Sequence, residues 1–214
     1  MNVYDLAERL PSIDELRNRC RALATLEFIQ GSDYPYYTWY DEVAAMDNGG
    51  GDEYSIVFSD AGAFIRVFDH ESAMSPYAAD DHELWPGLLD GLPPEFLPFT
   101  TDPAFCDHGV LSATAVLWRR TTDDRWHAGT GISFPPPRSV HDFSPDGASL
   151  LAILCDDDLA GSYTDFAGDY HEVTIDRAAV AHVVAMHPLT AAVAHALNPD
   201  ADLAELRAAG HLTD

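Results

Sequence analysis

The sequence predicts an α+β domain: an antiparallel sheet of about five strands covered by helices. Three observations lead there. Strand-like runs come in neighbouring pairs around short polar turns, as in Tyr54 to Phe58 and Ala63 to Phe68. Helical stretches come in blocks toward the two ends and do not alternate with strands as a parallel sheet requires. The chain is 47% hydrophobic and 11% aromatic over 214 residues, enough to fill one sizeable core. No internal repeat or biased linker divides it, so residues 1–214 read as one domain with 175–214 as a helical C-terminal extension.

In chain order, Asn2 to Leu10 fits a short helix that Pro11 breaks. Ser12 and Glu15 form a capping-box pattern for a second helix. Its apolar stripe is Leu16, Cys20, Leu23, Ala24 and Phe28, it stops at Gly31, and Arg17, Arg19 and Arg21 face solvent on its other side. Tyr34 to Tyr40 reads as one strand continuing toward Ala45. The loop Asp47 to Asp52 has three successive glycines but no following Lys-Ser/Thr and no helix, which excludes a phosphate loop.

Ser59-Asp60-Ala61-Gly62 joins the central hairpin as a four-residue loop, with Gly62 supplying a positive φ, and a three-stranded meander results. Arg66 shares a face with Phe64 and Phe68 and is expected to lie over them and pair with an acid just beyond the strand. From Ala78 to Asp107 prolines and glycines interrupt Leu84, Trp85, Leu88, Phe96 and Phe99, so short helical turns should lie over the sheet. Leu111 to Arg120 and Arg125 to Phe134 form a second hairpin ended by Pro135-Pro136-Pro137. After the loop Arg138 to Pro145, helices follow: Asp146 to about Cys155, one carrying Tyr163, Phe166 and Tyr170, one capped by Asp176, a resumption to Leu197, and one opened by Asp202.

Charge narrows the function. The net charge is −25, every one of the eleven basic residues is arginine, and lysine is absent. No basic side chain falls between Arg66 and Arg119, or between Arg138 and Arg177. Direct nucleic-acid binding is therefore excluded, because phosphate contacts need Lys and Arg. No run approaches a membrane span, and the N-terminus lacks the basic and apolar regions of a signal peptide, so a cytoplasmic protein without membrane contact is expected. Cys20, Cys106 and Cys155 are expected as free thiols. Nothing in the sequence sets an oligomeric state.

The densest titratable cluster is Asp69-His70-Glu71, after the second hairpin strand. These three residues are the candidate ligands of a divalent metal, provided the strand has ended there, since successive strand residues face opposite ways. Capping of nearby amides is the favoured alternative, so no cofactor is expected. Asp80-Asp81-His82-Glu83, Asp107-His108, His141-Asp142 and Asp169-Tyr170-His171-Glu172 repeat the pairing of histidine with acids. No H-E-x-x-H, paired cysteine or calcium loop accompanies them. A G-x-S-x-G nucleophile elbow is also missing, and Gly129-Thr130-Gly131 lacks the helix of a dinucleotide loop.

The run Asp69-His70-Glu71-Ser72-Ala73-Met74-Ser75-Pro76-Tyr77, followed by Trp85-Pro86-Gly87-Leu88-Leu89-Asp90-Gly91-Leu92-Pro93 and Leu117-Trp118-Arg119-Arg120, resembles a group of bacterial, mainly actinobacterial, proteins. The resemblance covers most of the chain and implies a bacterial cytoplasmic protein. That group has no established activity, so it assigns no residue a role. The order of elements differs from that of SUKH-type immunity proteins.

The leading functional expectation is an acidic protein-binding module of the immunity or antitoxin kind, neutralising a basic protein. Asp80, Asp81, Glu83, Asp156, Asp157 and Asp158 are its contact residues, gathered on one solvent-facing side. The alternatives are a metal-assisted hydrolase built on Asp69, His70 and Glu71, and a housekeeping protein without a catalytic site whose acidity only suits its solvent.

Overall fold

A computed structural model describes residues 1–136 and 144–212. In chain order it contains α1 (Val3–Arg9), α2 (Ile13–Gln30), β1 (Tyr37–Tyr40), β2 (Val43–Asp47), β3 (Glu53–Ser59) and β4 (Gly62–Phe68). A 3₁₀ helix (Pro94–Thr100), β5 (Cys106–Asp107), β6 (Val110–Leu111), β7 (Ala115–Arg120) and β8 (His127–Ala128) follow. A second 3₁₀ helix (Ala148–Cys155), α3 (Leu159–Tyr170), α4 (Arg177–Val184), α5 (Ala191–Leu197) and α6 (Leu203–Ala208) complete it. The fold is α+β: β1-β2-β3-β4-β7-β8 form one antiparallel sheet of six strands, and β5 and β6 make a small ribbon.

Alternation along the strands divides the protein into three layers. Tyr54, Ile56 and Phe58 of β3, Ala63, Ile65 and Val67 of β4, and Ala115 and Leu117 of β7 join one core with Leu16, Leu23, Leu151, Leu154 and Tyr163 of the helices. Val57, Phe64, Val116 and Trp118 face the other way, onto Phe96, Phe105 and Leu111 of the proline-rich segment. β4 is therefore buried on both faces. The C-terminal helices pack on α2 and α3, and Val180, Val183, Ala194, Leu197 and Leu206 belong to the helical-side core.

Three strand expectations change. The run from Tyr34 to Ala45 is a hairpin, β1 to β2, closed by Asp41 and Glu42 at φ 45° and 63°. A left-handed conformation costs a non-glycine residue about 1 kcal/mol, and a two-residue hairpin turn demands it. Glu42 is held there from α2, 2.7 Å from Arg21 and 3.5 Å from Arg17. Arg17 also lies over Phe58, Arg21 over Trp39, and the two rings stack at 5.4 Å, so the arginine face of α2 clasps the hairpin as well as meeting solvent. The meander therefore has four strands.

In the central hairpin the turn is the two residues Asp60 and Ala61, because Ser59 pairs with Gly62. Gly62 does have positive φ, 144°, but its stronger reason is space: a Cβ there would stand 2.0 Å from the Arg119 carbonyl oxygen on β7. Arg66 pairs across the sheet with Glu53 at 2.7 Å and lies over Phe105, not with the acids beyond its own strand. The expected second hairpin shrinks to β7 and the short β8. The stretch Ala148–Cys155 is 3₁₀ rather than α, opening at a left-handed Gly147 that offers no capping side chain.

The two sheet edges differ. At the β8 side the neighbouring backbone is engaged: Gly129 O accepts from Tyr4 Oη, Ile132 N donates to Tyr4 Oη, and Thr130 N donates to Asp90 O. At the other side stands β1. Tyr40 pairs with Val43 across the two-residue turn, and Asp47 N donates to Tyr36 O, so Thr38, Tyr40 and the Tyr36 carbonyl spend their backbone groups on β2. The N–H and C=O groups of Tyr37 and Trp39 consequently point outward.

Candidate functional site

The polar knot after β4 forms because the strand stops at Phe68 and the chain turns. Asp69 Oδ1 accepts from Glu71 N (3.0 Å) and Ser72 N (3.1 Å), while Asp69 N donates to Thr114 Oγ1. Ser72 Oγ then ties the turn to Pro145 O at 2.6 Å. His70 reaches across the hairpin, with its backbone N (3.0 Å) and Nδ1 (2.7 Å) both on Asp52 Oδ1. Asn48 Nδ2 donates to the other oxygen of Asp52 at 2.8 Å.

Of the three residues predicted as ligands, Asp69 and His70 come together, and Glu71 does not join them. Its place is taken by Asp52: one atom each of Asp52, Asp69 and His70 lie within 4.8 Å of one another. The β3–β4 register, with Glu53 opposite Phe68, sets Asp52 beside the turn, so the hairpin pairing could have revealed it. Among the described residues, these three are the ones that could hold a divalent ion. Yet Asp52 Oδ1 and His70 Nδ1 stand at hydrogen-bond distance, whereas two ligands of one tetrahedral zinc sit about 3.3 Å apart. The network as it stands locks a turn.

Its electrostatics follow from these bonds. Partial desolvation pushes the Asp52 carboxyl up, but the hydrogen bonds from His70 and Asn48 together outweigh it and hold the group below its usual range. Asp52 raises His70 above its ordinary value in return. Asp69 is pushed up by desolvation and then by the charge of Asp52.

The other pairs of histidine with acids resolve separately. His82 Nε2 lies 3.3 Å from Asp107 O, and its ring meets Tyr77 and His108. His182 Nε2 binds Pro188 O. His141 and Asp142 lie outside the described residues. His171 finds a partner that sequence reading missed: its Nε2 stands 3.0 Å from Oε1 of Glu27, a fully buried carboxylate. Tyr163 Oη donates to the same oxygen (2.9 Å) and Tyr36 N to the other (2.8 Å). The signal was an acid on the apolar stripe of α2, four residues after Leu23.

The two acidic tracts lie on different elements. Asp80, Asp81 and Glu83 are exposed beside the proline-rich layer, while Asp156, Asp157 and Asp158 lie between the second 3₁₀ helix and α3 in the helical layer. Two acids of the second tract are also occupied. Asp156 accepts from Asp158 N and Ser162 Oγ, and Asp158 caps α3 through Gly161 N and pairs with Arg177.

At least seven of the eleven arginines are held by ion pairs or carbonyl contacts within the chain. Arg17 and Arg21 pair with Glu42, Arg19 with Glu15, Arg66 with Glu53, Arg120 with Asp123, and Arg177 with Asp158. Arg119 donates to the carbonyls of Asp123 and Asp124.

Beside the outer edge of β1 opens a cleft of about 780 Å3. Tyr37 and Trp39 form one wall, Phe28 of α2 another, and Glu205 and His211 close it from the C-terminal side. Phe28 and His211 pack ring to ring at 4.9 Å, and burial lowers the pKa of His211. Compared with protein-family models, curated proteins and solved structures, the chain matches none. Among the described residues no helix is long and apolar enough to cross a membrane.

Proposed function

We propose that this chain is a non-enzymatic binding module whose acidic surface takes a basic protein, in the manner of an immunity or antitoxin protein. One observation carries the reading: Arg17, Arg19, Arg21, Arg66, Arg119, Arg120 and Arg177 are drawn into contacts within the chain, while many carboxylates outside those pairs are exposed in a protein of net charge −25. The proline-rich layer is the plainest case. From Asp69 to Trp118 it has no arginine or lysine, and Asp80, Asp81, Glu83, Asp90 and Glu95 are exposed or half-buried on it beside the exposed apolar groups Tyr77 and Leu97. Clustered charge of one sign steers an oppositely charged partner and speeds its encounter.

The test is affinity capture from the source lysate at low and high salt, followed by association kinetics with the recovered protein. Replacing Asp80 and Asp81 by Asn and Glu83 by Gln should slow association several-fold at low salt and leave folding unchanged. Capturing only acidic or neutral proteins, or an on-rate indifferent to salt and to these changes, overturns the reading.

A second reading, metal-assisted hydrolysis, is favoured by the approach of Asp52, Asp69 and His70. A divalent ion bound there would raise the melting temperature of metal-stripped protein. On the first reading, zinc or manganese leaves that temperature unmoved.

A further inference from the structure

We propose that the free edge of β1, with the cleft beside it, binds an extended lysine- or arginine-bearing segment of a protein partner by strand addition. The proposal rests on the basic-partner reading and places the docking contact. Its first support is the unspent backbone. Tyr37 and Trp39 present outward N–H and C=O groups, and among the described residues none of these has a hydrogen-bond partner. An open edge of this kind is a template for another strand.

The second support is shape. The edge does not look onto bulk solvent alone: the 780 Å3 cleft runs along it, with Phe28 and Trp39 as apolar wall. A strand added to β1 turns alternate side chains into that cleft and the others outward along Thr38 and Tyr40, the latter 77% exposed.

The third is charge. Asp33 and Glu205 face the cleft from opposite sides, and neither carboxylate has an ion-pair partner among the described residues. The cleft's cation, Arg21, is already bound to Glu42 and stacked on Trp39. His211 adds no compensating charge near neutrality. The occupant is therefore basic. A second copy of this chain offers the same extended edge, but two molecules of net charge −25 repel.

The probe is an acetylated, amidated octapeptide of alternating lysine and valine, titrated into the full chain and followed by amide hydrogen exchange. Exchange at Trp39, half-buried on the edge, and at the buried Tyr37 should slow as the peptide binds. N-methylating its four central residues should weaken binding about tenfold or more, because two donors to the edge carbonyls are lost. Exchanging lysine for glutamate should abolish it, and Asp33→Asn with Glu205→Gln should weaken it a few-fold. Unchanged exchange at both amides under saturating peptide, or equal affinity for the N-methylated form, overturns the proposal. Protection without peptide, together with a dimer in sedimentation, overturns it in favour of a second copy. If the protein recovered from lysate binds and the octapeptide neither competes with it nor protects β1, this inference fails while the basic-partner reading stands. If the octapeptide protects β1 and no basic protein is recovered, that reading fails and the edge site stands.

Discussion

Asp146 gives the sharpest quantitative test of how this fold tolerates its own acidity. Its side chain is fully buried, accepts from Val3 N at 2.7 Å and Ala148 N at 3.1 Å, and has no arginine beside it. Burial pushes the carboxyl up from its ordinary 3.8 to about 6, and the two amide donors only partly oppose it. Because the folded value lies above the unfolded one, the native state binds the extra proton between these limits. Stability from this group is therefore greatest in acid, declines as pH rises from about 4 to about 6, and is flat above. A shift of about 2 units corresponds to about 3 kcal/mol. Asp146→Asn removes the titration and keeps one acceptor oxygen. Urea unfolding of both proteins across pH 4 to 7.5 should show wild type losing about 2.5 kcal/mol relative to the variant over that interval. The other carboxylates cancel in the difference. A difference that stays level, or that changes in the opposite direction, refutes the account.

Gly62→Val should destabilise by about 3 kcal/mol or more, since its Cβ would strike the Arg119 carbonyl; an unchanged melting temperature contradicts the packing of β4 on β7. Glu27→Leu strands the buried donors of Tyr36, Tyr163 and His171 and should lower stability by about 3 kcal/mol or more, read as a fall in the urea midpoint. His70 should titrate above its ordinary 6.5 in a proton NMR series, and Asp52→Asn should bring it back. What stability that pair supplies is present between the lowered Asp52 value and the raised His70 value, and fades as pH climbs through the latter or falls through the former. A His70 titration indifferent to Asp52 would disprove the pairing.

Residues whose neighbours in space are also neighbours in sequence were legible. Tyr54–Phe58 and Ala63–Phe68 alternate around a tight turn, and their pairing needed no distant information. Ser12, Asp176 and Asp202 cap the helices that local pattern assigns to them. Asp41 and Glu42 were not legible as a turn, because neither favours a left-handed backbone and the arginines that hold Glu42 lie on α2, about twenty residues before it. The polar knot was half visible for the same reason: Asp69 caps its own turn, whereas Asp52 arrives from across the hairpin. Glu27 looked like one acid among many until α3 brought Tyr163 and His171 to it.

The unequal sheet edges also limit how such molecules can join. A subunit whose two edges both accept a strand can be copied end to end without limit, which is how open fibres grow. Here the residues that follow β8, Gly129, Thr130 and Ile132, are already engaged by Tyr4 and Asp90, so the far flank differs from the open β1 edge. On the strand-addition proposal, each molecule would then end a row of strands rather than extend one.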